Sequence, residues 1–369
     1  MYKYINKLSN TVMEKSVSLL APTGRAAKRM SDACNFKSST IHRFLKWNLD
    51  TKEFGINEYN QVNYDLIIID EVSMVDTELF ASLLKGINLN VHLVLVGDDS
   101  QLPSVSPGNI LKDLIDSNIF KHVKLNKIYR QSNNSYIPIL AKEIKDMKIS
   151  SKLLERHDDY NFLECSSKDI HKVITKVISM SLSKGLDEDS VEILAPMYYG
   201  INGIDNLNNI LQDIFNPSSI NLKEVEIGNI IYRENDKVIN LVNNIDNNIF
   251  NGDIGYIVNI DNKSNEEFMS IDYYGNIVNL KREDINTIKH AYVMSIHKAQ
   301  GSEFDNVIMI ISSDYKRMLY NRLLYTGVSR AKKSLVIIGE SDAFKYAINN
   351  NYAQDRHTGL KDILIEYNK

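Results

Sequence analysis

Cysteine and proline are scarce in this chain, which has two cysteines and six prolines among 369 residues. Cys34 and Cys165 fit no metal-ligand spacing, and two unrelated thiols are typical of a reducing compartment without disulfides. No apolar run approaches the roughly 20 residues of a membrane helix. Met1–Lys15 also lacks the apolar segment of a signal peptide. We therefore expect a cytoplasmic protein that has no disulfide and no membrane partner.

An excess of one charge is also absent, because 43 basic and 47 acidic residues give a formal net charge of −4. Any affinity for nucleic acid must then come from local stripes of basic residues and not from the net charge of the whole protein. One stripe lies between Ala21 and Trp47, where six basic residues accompany a single acid, Asp32. It comprises Arg25, Lys28, Arg29, Lys37, Arg43 and Lys46, with His42, Phe44 and Trp47 alongside. The stripe is either a nucleic-acid contact or a solvated helix face, and its charge alone favours the solvated face.

The phosphate-binding motif Gly-x-x-x-x-Gly-Lys-Ser/Thr does not occur in these 369 residues, although other parts of a nucleotide-hydrolysing core do. The apolar run Leu66–Ile69 ends in Asp70 and Glu71, and a second apolar run leads to Gly97–Gln101. Because ligands bind beyond the carboxyl ends of strands in open α/β sheets, these polar residues can meet at one metal-bound phosphate. One carboxylate would hold Mg²⁺ while the other takes a proton from the attacking water. The alternative is an acid pair that caps the next helix.

The length predicts two or three domains. Alternating strand and helix patterns at the start of the chain predict a parallel sheet with helices on both faces. Strands are predicted at Val17–Ala21, Leu66–Asp70 and Leu93–Val96, a helix at Arg25–Ala33, and a helix cap at Asp76. The polar segment Trp47–Asn63 is predicted to be a small inserted hairpin.

A second α/β pattern begins with strand and helix signals from Val191 to Phe215. Val238–Leu280 interrupts it with short alternating strands and the turn signals Asn251-Gly252 and Tyr274-Gly275, which indicate a small β-barrel. The α/β pattern resumes at Ala291, with buried strands predicted at Val307–Ile311 and Leu335–Ile338. We expect the barrel to be a separable module, because its strands pair locally and its ends return to one place.

Six motifs occur in the order found in RecD-like (RecD/TraA) helicases of superfamily 1, which this chain resembles. They are Ala21–Ala27, Asp70–Asp76, Gly97–Val105, Ile128–Gln131, Ser295–Phe304 and Leu324–Lys332. The resemblance implies an α/β fold with two RecA-like parallel-sheet cores, a small β-hairpin insertion and an SH3-like β-barrel insertion. The expected boundaries are 1–118 for the first core, with its hairpin at about 47–63, then 119–225 and 291–369 for the second core, and 226–290 for the barrel.

The resemblance also implies roles for individual residues toward ATP. Asp70 would bind Mg²⁺, Glu71 would activate water and Gln101 would sense the γ-phosphate. Arg130 and Arg330 resemble two arginines that neutralise charge on the transferred phosphoryl group, the alternative being ordinary ion pairs. The remaining nucleotide contacts would be Gly97, Asp98, Gly301 and Glu303.

Single-stranded DNA is the implied partner, with phosphates contacted by hydroxyl, imidazole and backbone N–H groups. The implied contacts are Thr23, Arg25, His42, Ser295, His297 and Lys298, and the alternative for His297 is a satisfied core histidine. The barrel segment Phe250–Gly255 also matches the family and would lie against the strand, or serve structure alone.

The chain departs from the family pattern at its beginning. Met1–Lys15 resembles the helix that follows the phosphate loop, so that the first strand and the loop are expected upstream of Met1 or not at all. Two classes of function follow. The first is an ATP- and Mg²⁺-dependent motor that moves 5′ to 3′ on DNA, and the second is a non-hydrolysing DNA-binding or interaction protein.

Overall fold

A computed structural model describes residues 17–125, 135–244, 247, 249–351 and 356–369. The chain divides into two compact units, Met1–Lys127 with Ala353–Lys369, and Ile128–Tyr352. The chain therefore leaves the first unit, forms the second, and returns to the first at its C-terminal end. This grouping differs from the expected second core, which extends to residue 369.

The first unit is built on a parallel sheet. In the described residues its strands are β1 (Val17–Ala21), β2 (Ser38–Thr40), β3 (Trp47–Asn48), β4 (Glu53–Phe54), β5 (Leu66–Ile69) and β6 (His92–Leu95), and its helices are α1 (Gly24–Cys34), α2 (Ile41–Phe44), α3 (Thr77–Gly86) and α4 (Ile110–Asp116), with a short 3₁₀ helix at Val72–Met74. Four of the strands pair in the order β2-β1-β5-β6, all in parallel. Ile67, Ile68 and Ile69 are at most 1% exposed, as expected for a strand covered on both faces.

Local capping chemistry sets the helix ends in this unit. The Thr23 hydroxyl accepts a hydrogen bond from the Ala26 backbone N–H at 3.2 Å and starts α1. Asn35, in the left-handed conformation, ends it. The Asp76 carboxylate accepts from the Leu79 N–H at 2.8 Å, which confirms the predicted cap of α3.

The predicted hairpin insertion is present as the antiparallel pair β3 and β4, in which Trp47 lies opposite Phe54. Their ring centroids are 4.7 Å apart, and the His42 ring lies 5.9 Å from Phe54. Aromatic packing therefore fixes this short hairpin beside helix α2.

The second unit combines a parallel sheet with an antiparallel one. In the described residues its helices are α5 (Ile137–Lys145), α6 (Ile170–Ser183), α7 (Ile204–Phe215), α8 (Asn321–Val328) and α9 (Ser341–Asn349), with 3₁₀ helices at Ser151–Leu154, Ser167–Asp169, Arg282–Thr287 and Ser313–Met318. Its strands are β7 (Tyr160–Glu164), β8 (Val191–Ala195), β9 (Glu224–Ile227), β10 (Ile230–Arg233), β11 (Lys237–Asn240), β12 (Ile254–Ile260), β13 (Met269–Tyr273), β14 (Asn276–Leu280), β15 (Ile288–His290), β16 (Val293–Ser295), β17 (Phe304–Ile311) and β18 (Ala331–Gly339). The parallel sheet has the order β16-β8-β17-β18-β7.

The inserted domain consists of the antiparallel sheet β14-β13-β12-β11-β15 and the pair β9–β10. It has its own apolar core, in which Val238, Ile257 and Phe268 are completely buried. The predicted turn at Tyr274-Gly275 is confirmed, because both residues have the positive φ that a tight hairpin requires.

A buried carboxylate joins this domain to the neighbouring helix α7. Asp236 has no exposed surface, and its two oxygens accept five hydrogen bonds. The donors are Gln212 Nε2 (2.7 Å), Asn216 Nδ2 (2.8 Å), the Arg233 backbone N–H (2.6 Å), His290 Nε2 (3.0 Å) and the Tyr292 hydroxyl (3.0 Å). Because Gln212 lies in α7, outside the inserted sheet, the domain and the second core share one polar network. That the domain is a separable module stays a prediction.

The C-terminal segment is fastened to the first unit by polar contacts that precede helix α10 (Leu360–Tyr367). The Arg356 guanidinium donates to the carbonyl oxygens of Ser106 (2.8 Å) and Gly108 (2.9 Å), and also to that of Ser104. The Thr358 hydroxyl donates to Asp113 in α4 at 2.9 Å. Arg356 therefore holds the loop that follows Gln101.

Replacing Arg356 by Ala should loosen that loop, because three carbonyl groups lose a charged donor. Hydrogen bonds to charged groups contribute about 1.5–3 kcal/mol, so we expect faster amide exchange across residues 104–108 and a loss of stability of that order. Hydrogen exchange with mass spectrometry measures both. The matched control is Arg317→Ala, an exposed arginine of the second unit. Unchanged exchange in residues 104–108 of the Arg356 variant would contradict the prediction.

None of the helices in the described part of the chain has the length and apolar character needed to span a bilayer.

Candidate functional site

The predicted nucleotide residues of the first unit lie at the carboxyl edge of its sheet. Asp70 follows β5 directly, and its backbone N–H donates to the Leu20 carbonyl of β1 at 2.9 Å. The Asp70 carboxylate accepts the Glu71 N–H at 2.9 Å. Gly97 to Gln101 follow the adjacent strand β6, which pairs with β5 in parallel. The structure therefore brings both motifs to one edge, as expected for a nucleotide site in an open α/β sheet.

Glu71 is held in an unusual conformation. Its backbone has φ 53° and ψ 40°, the left-handed region that few residues other than glycine adopt. The side chain is buried, and Arg29 of α1 donates to its Oε1 at 3.0 Å. Strained backbone of this kind concentrates at functional sites, where the surrounding structure fixes it. The Arg29 pair aims the Glu71 carboxylate in one direction.

The end of β6 packs tightly against the Glu71 segment. A Cβ atom on Gly97 would lie 2.8 Å from Leu111 Cδ2 and 3.2 Å from the backbone nitrogens of Val72 and Ser73, so this close approach favours glycine. Asp98 accepts a hydrogen bond from the Ser100 N–H at 3.0 Å, and its carbonyl accepts from the Gln101 N–H at 3.2 Å. Gly97 and Asp98 thereby shape the turn that presents Gln101.

The predicted DNA contacts of the first unit follow the other two strands at this edge. Ala21 of β1 pairs with Thr40 of β2, so Thr23 and His42 lie just beyond neighbouring strand ends. Thr23 caps α1, Arg25 lies in its first turn, and His42 is exposed in α2. Although the residue is solvent-accessible, Trp47 and Phe54 lie beside its ring, and this partial desolvation lowers the pKa of His42, while Asp76 opposes the shift.

In the second unit, Ser295, His297 and Lys298 form a turn at the end of β16. The buried Ser295 hydroxyl accepts the Lys298 N–H at 3.2 Å. Burial lowers the pKa of His297, which favours its neutral ring. Lys298 Nζ donates to Asn251 Oδ1, which places the inserted domain's Phe250–Gly255 segment beside this turn.

Gly301 and Arg330 are linked through Ser302. Gly301 has φ +74°, which a glycine adopts without strain, and half-buried Glu303 precedes β17. Arg330 is 2% exposed, and its guanidinium donates to the carbonyls of Ser302 (2.9 Å) and Thr326 (3.1 Å) and to the Ser329 hydroxyl (3.1 Å). Arg330 is thus bound within its own unit. Arg130 lies outside the described residues.

The first unit fits a magnesium–nucleotide group. Within the described ranges, no group of three or more His, Cys, Asp or Glu residues is placed to hold a metal ion. Nucleotide-bound Mg²⁺ uses one or two protein carboxylates and the phosphates themselves, so Asp70 at a strand end is a sufficient protein ligand. Gln101 Oε1 is buried without a hydrogen-bond partner in the described residues, an acceptor whose burial calls for a bound group.

Three family models match the chain. They describe an AAA domain (residues 2–168), the SH3 domain of ATP-dependent RecD-like DNA helicases (residues 207–273) and the C-terminal domain of UvrD-like helicases (residues 290–338). The chain belongs to the RecD-like family of superfamily 1 helicases. The expected α/β fold, with RecA-like parallel sheets and an SH3-like domain, is confirmed.

Individual RecD-like relatives align along most of the chain. The ATP-dependent RecD2 DNA helicase of Deinococcus radiodurans is 30% identical over 333 residues, which is 90% of this chain and 44% of the relative. The RecBCD enzyme subunit RecD of Buchnera aphidicola subsp. Schizaphis graminum is 25% identical over 412 residues, covering 93% of this chain and 68% of that subunit. The chain thus spans less than half the length of the Deinococcus relative.

A solved structure has a similar fold. This chain matches a solved structure of Pif1 helicases, from work on DNA unwinding at forked double-stranded DNA, with a TM-score of 0.50 and 17% sequence identity. The match covers 100% of this chain and 90% of that chain. At this identity the match shows likeness of fold alone.

Two features of the site were missed by sequence reasoning. The sequence predicts Arg29 only as part of the basic stripe, whereas in the structure it donates to Glu71, 42 residues away along the chain. Arg356 carried no motif signal, yet it holds the loop after Gln101. Neither contact has a signal in the local sequence.

Proposed function

We propose that this chain is the DNA-contacting and nucleotide-responding core of an ATP-dependent helicase, acting 5′ to 3′ on single-stranded DNA in the cytoplasm. The observation that carries the proposal is the carboxyl edge of the first sheet. Asp70, Glu71 and Gln101 follow β5 and β6, while Thr23 and His42 follow β1 and β2. Groups suited to a nucleotide and groups suited to DNA phosphates therefore share one rigid edge.

The nucleotide chemistry is assigned to this chain's residues as follows. Asp70 would hold Mg²⁺, which when bound neutralises phosphate charge. Glu71, aimed by Arg29, would accept the proton of the attacking water. Gln101 both donates and accepts hydrogen bonds, so it can report whether phosphate or water occupies its site. The resemblance of their motifs assigns Arg130 and Arg330 the role of neutralising charge on the transferred phosphoryl group. To reach a phosphate, Arg330 would have to give up its hydrogen bonds to Ser302, Thr326 and Ser329.

DNA phosphates would be contacted by both neutral and charged groups. The pKa values of His42 and His297 are lowered, which favours neutral rings, and these rings would contribute hydrogen bonds together with the hydroxyls of Thr23 and Ser295. The positive charge would come from Arg25 and Lys298. This division predicts sequence-independent binding through the phosphates.

Binding of this chain to single-stranded DNA should weaken steeply as salt increases, because each phosphate contact releases counterions. Arg25→Ala should reduce the slope of log K against log salt by about one. Fluorescence anisotropy with a labelled oligonucleotide measures the slope. The control, Arg317→Ala, removes an exposed arginine and should leave the slope unchanged. Salt-independent binding by the wild-type chain would refute the proposed contact.

A further inference from the structure

The loop after β8, residues 196–203, has a fixed backbone. Three backbone hydrogen bonds close it: Gly203 to Gly200 (3.0 Å), Ile204 to Met197 (2.9 Å) and Asp205 to Tyr198 (3.1 Å). A Cβ atom on Gly203 would lie 2.3 Å from the Tyr198 carbonyl oxygen, so the chain folds back in a way that requires glycine there. This loop is therefore not a flexible connection.

Side chains hold the loop on two sides. On one side, Lys289 Nζ of β15 lies 4.9 Å from the centre of the Tyr198 ring. On the other, Asn202 is 1% exposed and its Nδ2 donates to the Ser167 carbonyl (3.0 Å) and to Asp314 Oδ2 (3.2 Å). The Tyr315 hydroxyl donates to the Asn202 carbonyl. The loop is thus fixed both at the SH3-like domain and above the parallel sheet.

Between these two attachments the tip of the loop exposes apolar side chains. Tyr199 is 78% exposed and Ile201 is 69% exposed, although their neighbour Asn202 is buried. An aromatic side chain on a fixed backbone loses little conformational freedom when it binds, because only two side-chain angles are left to fix. The tip is therefore suited to contact a flat apolar partner.

Strand pairing places the start of this loop beside the proposed phosphate contacts. β8 and β16 are neighbours, and Ala195 pairs with Ser295 at their carboxyl ends. The tyrosine loop starts directly after Ala195, and the Ser295–Lys298 turn starts at Ser295. The loop and the turn therefore start from the same edge of the parallel sheet.

We propose that Tyr199 stacks on a nucleobase of the single strand, with Ile201 beside it, while the Ser295–Lys298 turn contacts the phosphates. The inference rests on the proposed function, since it requires DNA at this edge. A nucleobase is the favoured occupant because the neighbouring groups are a lysine and hydrogen-bond donors suited to phosphate, and stacking completes a typical single-strand site. Stacking on every base type makes the contact independent of sequence.

The test compares oligonucleotides with and without bases, using the full 369-residue chain. Anisotropy is measured with a labelled oligothymidylate and with an abasic strand of equal length and charge. The wild-type chain should bind the thymidylate more tightly. Tyr199→Ala should weaken thymidylate binding roughly five- to hundredfold while leaving abasic binding and the salt slope unchanged. Tyr199→Phe, which keeps the aromatic face, should retain the preference.

The matched control is Tyr367→Ala, which removes a tyrosine that is 88% exposed on α10 of the first unit and should bind like wild type. Two outcomes overturn the stacking role and leave the proposed DNA binding intact. One is equal affinity of the wild-type chain for the thymidylate and the abasic strand, and the other is equal weakening of binding to both strands by Tyr199→Ala. Failure of the wild-type chain to bind either strand overturns both.

Discussion

Asp236→Ala should lower the free energy of unfolding of the second unit by about 3–5 kcal/mol, because each buried donor left unsatisfied costs about 1–3 kcal/mol and several donors lose this acceptor. The substitution leaves five donors without their acceptor inside the protein. Unsatisfied buried donors lose their hydration without replacement. Urea unfolding followed by circular dichroism measures the change.

A surface aspartate provides the control. Asp342 has a side chain that is 94% exposed and pairs with Lys345 on the same helix, so Asp342→Ala should change stability by no more than about 0.5 kcal/mol. Similar effects of the two substitutions would show that the Asp236 network contributes no more than a surface pair. A large effect would also argue against deleting the expected barrel segment, residues 226–290, since Gln212 and Asn216 would lose the same acceptor.

ATP hydrolysis by the 369-residue chain alone should not exceed background, although it carries Asp70, Glu71 and Arg330. A phosphate loop supplies the backbone N–H cradle, a lysine on the β/γ-phosphates and a hydroxyl for Mg²⁺. An arginine finger accelerates such transfers by roughly 10³–10⁵, but only after the phosphates are held. A coupled assay of phosphate release, with and without single-stranded DNA, measures this activity.

Joining a strand and a Gly-x-x-x-x-Gly-Lys-Thr loop before residue 1 should produce DNA-stimulated turnover. Glu71→Gln or Arg330→Ala should abolish that turnover, whereas Asp342→Asn, on an exposed helix end, should leave it unchanged. Robust turnover by the 369-residue chain itself, sensitive to Glu71→Gln, would mean that this site holds its nucleotide in another way.

The sequence by itself determined the elements whose signals are local. Strand β1 matches its prediction at both ends, and α1 extends the predicted helix by one residue at each end. The Asp76 cap and the Tyr274-Gly275 turn are also as predicted. In each case an apolar run, a capping oxygen or a turn residue acts on neighbours within a few positions, so the information lies in one short segment.

Strands that depend on their partners were not predicted. β2 has the polar sequence Ser38–Thr40 and exists through its pairing with β1. β7 mixes aromatic, polar and acidic residues, and its parallel pairing with β18 gives it its place at the edge of the sheet. Their sequences contain no clear period, because the hydrogen bonds that stabilise them come from distant parts of the chain.

Only the tertiary structure decided which distant side chains meet. The sequence predicts Glu71 at a strand end, but only the fold shows that Arg29 donates to it. Asp236 carries no signal in the sequence, but in the fold it is buried among five hydrogen-bond donors. Tyr199 and Tyr198 are adjacent and chemically identical, yet one is 78% exposed and the other lies against Lys289. Burial and long-range contacts arise from packing of whole elements, and no short segment encodes them.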